Sequence, residues 1–297
     1  DLQHDQPHAA LSDALATAEL LLKMQDKIRQ LPRPVLEEII RHSDSLLYET
    51  KEFLKEQLEY TPLQVENLRL VHNIATQVQN ITQEKKPFAS SFAKNISYLG
   101  LKARKRQEQI AEKVKEELSQ SEPSFIEAPT GIGKTYAYLL PLLAEGREIV
   151  VSTPTKVLQN QMIHGVAPLL KEKFGINFAK LLGTQNYISL EKFSHLLLST
   201  TEGKNFEIFK TKILVWLTET LTGELDELSK VMTNEDYFLQ VAHDGYVNSK
   251  HLHYEQDFWL KAQQRAEFSQ VKVVNHAYLI ERLADYPETF LKERVLV

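Results

Sequence analysis

Ala128-Pro129-Thr130-Gly131-Ile132-Gly133-Lys134-Thr135 decides how the rest of this chain is read. Two glycines flanking one residue and followed by Lys-Thr suit a loop that turns its backbone N–H groups inward on an anion. Gly131 and Gly133 permit dihedrals that a Cβ forbids. Lys134 then brings a point charge between β- and γ-phosphates as the catalytic cation, and Thr135 offers its hydroxyl to a metal. A helix starting there adds the positive end of its dipole. Ala128 stands where such loops usually carry glycine, and it is small enough to keep the turn. The competing reading is an ordinary glycine turn before a helix that happens to contain Lys-Thr. Spacing, residue types and flanking pattern favour the phosphate loop, so ATP and Mg2+ are the expected cofactors.

Outward from the loop, strand-like and helix-like patterns alternate. Residues 124–127 (Ser-Phe-Ile-Glu) read as a strand entering the loop, and a helix follows from about 133. Residues 147–153 form a second β-branched run, followed by a helix near 156–171. Residues 271–274 and 293–297 read as further strands, and 103–119 as a helix ahead of the loop. This alternation predicts an α/β fold with a parallel sheet covered on both faces. About a hundred mostly helical residues separate the second and third strands, far more than an ordinary crossover needs. They predict an inserted helical subdomain, placed at 176–270.

The N-terminal third differs. Residues 9–30 and 35–95 carry apolar residues at three- and four-residue steps and read as helices. Leu31-Pro32-Arg33-Pro34 interrupts them, Pro62 is expected to open another helix, and Pro87 with Ser90, Ser91 and Asn95 loosens the region 85–96. The first glycine is Gly100, and the chain has only 10 in 297 residues, where average usage of about 7% predicts roughly twenty. The first third is thus a mostly α-helical segment ahead of the sheet domain.

Composition narrows the function classes. Cysteine is absent, which excludes a disulfide scaffold, a thiolate-held zinc or iron–sulfur site and a cysteine nucleophile. No apolar run approaches the ~18 residues of a membrane span, so a cytoplasmic protein is expected. The formal charge of −5 lacks the basic excess of many nucleic-acid binders, although one local basic channel suffices. Two further stretches carry polar groups of interest. Ser152-Thr153-Pro154-Thr155-Lys156-Val157-Leu158-Gln159 puts hydroxyls and amides at a strand end, where they suit phosphodiester oxygens or where Thr155 simply caps a helix. Arg104 and Gln107 open the helix before the loop; an amide there can hold the donor–acceptor edge of adenine, or both can belong to a solvated basic helix start.

Taken together, these motifs resemble superfamily 2 helicases. Thr130 to Thr135 has the form seen there, and Arg104 and Gln107 fall where such proteins place a base-contacting arginine and glutamine. Lys180-Leu181-Leu182-Gly183-Thr184-Gln185-Asn186-Tyr187-Ile188-Ser189 is similar to the segment after which the iron–sulfur helicases of the DinG/XPD group place their first cluster cysteine. Val273-Val274-Asn275-His276-Ala277-Tyr278-Leu279 resembles the strand that follows the cluster insertion. Ser189 stands in place of the cysteine, so the resemblance is to a Gram-positive type without an iron–sulfur cluster. The insertion must then stand on packing, with Phe193, Leu197, Trp216, Phe238, Phe258 and Trp259 as core candidates that could alternatively stack on bases. The resemblance implies a RecA-like motor domain, with Thr153, Thr155, Gln159, Asn275 and His276 against DNA.

His8 to Leu21 is similar to the last motif of DnaQ-like 3′–5′ exonucleases. That resemblance implies His8 as general base and Asp13 as a metal ligand; Ser12 or Asp13 could equally cap the helix. The implied layout is 1–30 as an exonuclease remnant, 31–95 as a helical connector, and 96–297 as the ATP-binding helicase domain with its insertion at 176–270. The chain reads as the central piece of a polypeptide that joins a 3′–5′ exonuclease to an ATP-dependent helicase acting on single-stranded or forked DNA. In that group Asp-Glu-Ala-His would follow Val297, so this piece is expected to bind ATP without hydrolysing it. The alternatives are an exonuclease whose helicase-like region only binds DNA and regulates, and an ATPase unrelated to nucleic acid.

Overall fold

The structure is a computed structural model that describes residues 10–78, 86–120, 122–199, 203–228, 235–286, 290–291 and 293–297. Helices α1 (Ala10–Arg29), α2 (Arg33–Arg41) and α3 (Thr50–Gln57) lead into a hairpin of β1 (Leu68–Val71) and β2 (Ile74–Gln77). Helices α4 (Phe92–Tyr98) and α5 (Lys105–Glu117) precede the glycine loop, and α6 (Lys134–Ala144) follows it. Strand β3 (Ile149–Thr153) runs into α7 (Lys156–Gln161), which continues through a π-helical turn into α8 (Ala167–Phe174) and then β4 (Phe178–Lys180). Helices α9 (Leu190–Leu198), α10 (Lys204–Leu217), α11 (Glu235–Val241) and α12 (Phe258–Glu267) come next. The chain closes with β5 (Val271–Asn275), α13 (His276–Asp285) and β6 (Val295–Leu296).

These elements form two compact units. Residues 1–80 join 184–259 in one, and residues 81–183 join 260–297 in the other. The first unit unites stretches that the sequence assigns separately to a connector and an insertion. Helix α10 packs on α2 and on β2, burying Val35, Leu36, Ile39, Phe209, Ile213 and Leu217. Side-chain bonds span the same join: Gln77 Nε2 donates to Thr218 O at 2.7 Å, and Ser45 N donates to the Glu207 carboxylate at 2.8 Å. Gln256 Nε2 donates to both Arg69 O (3.0 Å) and Thr76 Oγ1 (2.9 Å). Of the insertion's core candidates, Phe193, Leu197, Trp216, Phe238 and Phe258 are buried. Ser189 is buried as the N-cap of α9, its hydroxyl accepting from Lys192 N at 3.3 Å.

One expectation needs correction in this unit. The helical reading of 35–95 fails at 61–77, where Pro62 opens no helix and an antiparallel hairpin forms with Leu68 opposite Gln77. Ile74, Ala75 and Thr76 are buried there, and His72 at the turn takes φ 51°. Helix α1 matches the predicted span, but none of its residues is buried, and Leu11, Leu15 and Leu22 are exposed.

The second unit holds a parallel sheet in the order β4-β5-β3-β6. Ile149 pairs with Val271 and Thr153 with Asn275, so β3 and β5 end level with each other. Alternation along the strands divides the core. Ile149, Val151, Val271 and Val273 pack with Leu139, Leu140 and Leu142 of α6 and with Phe174 of α8. On the other face, Val150, Val274, Ala179 and Leu181 pack with Ala266, Tyr278 and Leu279. Each such side chain contributes about 1.5–3 kcal/mol when fully buried. The result is the expected α/β fold, a parallel sheet clad on both faces and consistent with a RecA-like domain.

Here too the sequence reading shifts. Strand β4 lies inside the stretch assigned to the insertion, so the sheet continues through Lys180. Residues 124–127 form no strand, and Phe125 is 98% exposed. A strand exists only through its ladder. A cavity of about 700 Å3, lined by Ser124, Ile126 and Ala128 and by Val295 to Val297, occupies the space where one would form.

Candidate nucleotide and nucleic-acid site

The glycine loop reaches α6 through two left-handed residues, Gly131 at φ 79° and Gly133 at φ 85°. Gly133 is the N-cap of α6, so Lys134 is the first helical residue and the helix's free N–H groups face the loop. Lys134 is exposed and its Nζ donates to Ala128 O at 2.9 Å, closing the loop on itself. Lys134 and Thr135 line the 700 Å3 cavity together with Ala128 and Tyr138. Pro129 and Thr130 are exposed on the outer side of the turn, and Ile132 is half-buried.

Helix α5 fixes this loop from beneath. Arg104 Nη1 donates to Gly131 O, and Gln107 Nε2 donates to Gly133 O at 2.9 Å. Gln107 is buried, and a Cβ added at Gly133 would stand 2.4 Å from Gln107 Nε2. The absence of a side chain at Gly133 therefore serves two needs, a left-handed backbone and room for the amide. The two residues expected at a base edge are thus brought to the loop, and in this state both hold its carbonyls.

Tyr138, one turn beyond Thr135, is a neighbour that sequence reading missed, and its hydroxyl donates to Met162 Sδ at 3.9 Å. Burial pushes its phenol up to about 12, against the lowering effect of Thr135. It stays neutral around the loop at ordinary pH, and its position three residues after Thr135 on a helix was the available signal.

The ends of β3 and β5 gather most of the remaining candidates. Thr155 caps α7, its Oγ1 accepting from Leu158 N at 3.3 Å, and Asn275 caps α13, its Oδ1 accepting from Tyr278 N at 2.8 Å. Thr153 Oγ1 donates to Thr155 O at 3.2 Å. Ser152 Oγ and His276 Nδ1 lie 2.8 Å apart and tie the two strand ends together. The pairing of Ser152 with His276 was missed by sequence reading because the two are 124 residues apart. His276 and Thr155 are exposed at this edge, whereas Gln159 is fully buried. Gln159 Nε2 donates to Leu181 O and Val273 O, both at 3.2 Å, which makes it a tie across the sheet's end instead of a surface group.

His8 lies outside the described residues. Asp13 is exposed in the first turn of α1, where its carbonyl accepts from Thr17 Oγ1 at 2.8 Å. Among the described residues no group of three or more His, Asp or Glu side chains is placed to hold a metal ion. No helix among them is long and apolar enough to cross a membrane.

The geometry agrees with what comparison with known proteins finds. The DEAD/DEAH box helicase family matches residues 104–241, a span that contains Arg104, Gln107, the glycine loop and the end of β3. Proteins called 3′-5′ exonuclease DinG are similar over almost the whole chain. The one from Staphylococcus haemolyticus (strain JCSC1435) is 31% identical over 294 residues, which is 94% of this chain and 32% of that protein. Those from Staphylococcus aureus strains bovine RF122 / ET3-1 and USA300 are each 31% identical over 290 residues, covering 92% of this chain and 31% of theirs. The chain spans about a third of the length of the curated relatives it matches. On both counts the chain is similar to DinG proteins, and residues 104–241 match the DEAD/DEAH box helicase family.

Proposed function

We propose that residues 104–135 bind ATP with Mg2+, and that in the whole protein this domain couples ATP hydrolysis to action on single-stranded or forked DNA. The observation that carries this is the loop itself: two left-handed glycines, a helix N-terminus, an exposed Lys134 and Thr135 beside a cavity of about 700 Å3. Residues of this kind fit a triphosphate, with N–H groups from the loop and α6 aimed at its oxygens and the Lys134 ammonium neutralising charge. Thr135 would hold the magnesium ion, which supplies charge neutralisation at the β- and γ-oxygens. Arg104 and Gln107 stand beside the loop, ready to exchange a loop carbonyl for the edge of the base. Thr153, Thr155, Asn275 and His276, at the level strand ends, offer donors for the sugar–phosphate backbone. Glu117 and Glu122 border the cavity, and Glu117 is held by Lys113 and Ser124; residues 1–297 are expected to bind ATP without turnover.

The test is titration of the chain with a fluorescent ATP analogue, repeated for Lys134→Ala. Binding lost in that variant is expected; equal binding by both proteins would sink the assignment, and steady-state hydrolysis lost in Lys134→Ala would overturn binding without turnover. A second reading is favoured by the relatives' name, which speaks only of an exonuclease: the nuclease is the working activity and the helicase-type region regulates it. Separate assays of unwinding and 3′-end digestion in the whole protein, with Lys134→Ala and Asp13→Ala variants, distinguish the two. Digestion that survives Lys134→Ala in a protein that never unwinds DNA selects the second.

A further inference from the structure

One contact leads from the glycine loop toward the ends of β3 and β5. Tyr138 lines the loop cavity together with Lys134 and Thr135, and its hydroxyl reaches Met162 Sδ. Met162 is buried in the core shared by α6, β3 and β5. It follows directly on α7, whose other end carries Thr155 as its cap. A helix of six residues therefore joins a neighbour of the loop cavity to the strand ends that gather Ser152, Thr153 and His276. At about 1.5 Å per residue it is roughly 9 Å long, short enough to shift as one body.

The local sequence leaves this short helix with few restraints. Immediately after it comes the π-helical turn Met162–Val166, in which Ala167 N donates to Met162 O five residues back. Pro168 accounts for the wide turn. Without an N–H it cannot bond His164 O, so the α-helical ladder is interrupted there. Helix α8 thus starts a new hydrogen-bond register, and α7 is not spliced rigidly to it. Two neighbouring side chains tie α7 to the sheet's end. Gln159 Nε2 donates to Leu181 O and Val273 O, and Asn160 Oδ1 accepts from Lys180 Nζ at 2.7 Å. Side by side in the helix, they form a pivot between Met162 on one side and Thr155 on the other. Val157, Asn160 and Gln161 are exposed, so among the described residues the outer side of α7 is uncovered.

On the reading of the loop as the nucleotide site and of the strand ends as the DNA face, we propose that Tyr138 and Met162 are positioning residues. Their contact carries a displacement of α6, when nucleotide fills the loop, into α7, so that nucleotide and single-stranded DNA bind this domain interdependently. Both residues act through α7, which sets where the Thr155 cap and the end of β3 stand. Linkage makes the effect reciprocal: DNA changes nucleotide affinity by the same factor by which nucleotide changes DNA affinity.

The experiment is titration of the chain with a fluorescent ATP analogue in the presence and absence of saturating oligothymidylate, and of labelled oligothymidylate in the presence and absence of the analogue. The two affinity ratios should agree and depart from one by about fivefold or more. Tyr138→Phe removes the donor, and Met162→Leu removes the acceptor at nearly constant volume. Each should bring the ratio to within about twofold of one while the separate affinities stay within about twofold of their original values. The double variant should add nothing to either single one, because both changes cut the same contact. A ratio that survives both substitutions overturns the proposal, and so does a loss that appears only with a lowered melting temperature. Independent binding of the two ligands by the unaltered chain overturns the link and leaves the loop reading standing. Failure of the analogue or of oligothymidylate to bind at all overturns the reading of its own site, and the link with it.

Discussion

In residues 1–80 with 184–259, buried polar side chains such as Gln256, His243 and Ser189 end on partners within the same unit. In residues 81–183 with 260–297 they collect on a loop, at strand ends and in a cavity wall. Gln256 serves two groups of the hairpin, Glu227 accepts from Trp216 Nε1 and Thr220 Oγ1, and His243 Nε2 meets Asp257 at 3.1 Å. Among the described residues, two orphaned buried polar atoms (Thr211 Oγ1 and Trp259 Nε1) fall in the first region and four in the second. Polarity that is satisfied internally holds a fold together, whereas exposed groups closed only on a loop's own carbonyls, such as Lys134 on Ala128 O, are available to a ligand. Around Ser189 the first region is held by hydrogen bonds and apolar packing.

The contrast can be broken at its strongest tie. Gln256→Ala leaves Arg69 O and Thr76 Oγ1 without their partner and should cost about 3 kcal/mol of stability, read by urea unfolding, with nucleotide affinity unchanged. Affinity falling in parallel would show that the two regions share one polar network. Lys134→Ala should do the reverse, lowering ATP affinity by about 100-fold at unchanged stability. A smaller effect is expected beneath the loop, where Gln107→Ala removes the bond to Gly133 O and should weaken ATP about tenfold. Affinity unaffected by that change would mean that the loop keeps its shape without α5.

Titration sharpens the same comparison. In the first region, burial holds the His253 imidazole below 6.5, opposed by its bond to Gln256. Stability from that group is full above pH 6.5 and declines as the pH falls toward the lowered folded value, because only the unfolded chain then takes up the proton. Glu38 acts in the same direction further down: burial tends to raise its carboxyl, but His42, Arg41 and Asn73 outweigh this and hold it below 4.5. Its contribution is present above pH 4.5 and is lost as the pH falls through the folded value. In the second region, Tyr138 favours the neutral phenol, so its contribution is full below pH 10 and lost as the pH rises toward about 12. Melting temperatures of His253→Gln and Tyr138→Phe across pH should therefore flatten opposite limbs of the profile. The smallest effect is expected at Phe125, 98% exposed and outside any ladder, where Phe125→Ser should move stability by no more than about 0.5 kcal/mol in a melting experiment.

What could be read from the residues followed how local the determining physics is. The loop was legible because its glycines, lysine and helix start are contiguous, and β3 and β5 were legible from β-branched runs. The hairpin at 68–77 was hidden because four-residue strands with Leu, Val and Ile at mixed spacings also fit a helix face. Residues 124–127 misled in the opposite direction, since a strand-like pattern says nothing of whether a neighbour is there to pair. Strand β4, only Phe178-Ala179-Lys180, is too short to announce itself. Gln159 shows the limit for sites: its amide is of the right type for a phosphate contact, yet only the fold shows that it lies under the sheet's end.

The approach of Gln107 to Gly133 carries a consequence for inheritance. Two positions 26 residues apart share a space with room for one side chain. A mutation giving residue 133 a Cβ meets the amide nitrogen at 2.4 Å unless residue 107 has already become smaller. A side chain at position 133 therefore meets two obstacles: the left-handed φ of 85°, which no change at position 107 relieves, and the Gln107 amide, which would have to swing away from Gly133 O and give up its support of the loop. Among descendants of this sequence the glycine should therefore outlast the glutamine, since losing the amide frees space without changing the backbone conformation that only glycine adopts readily.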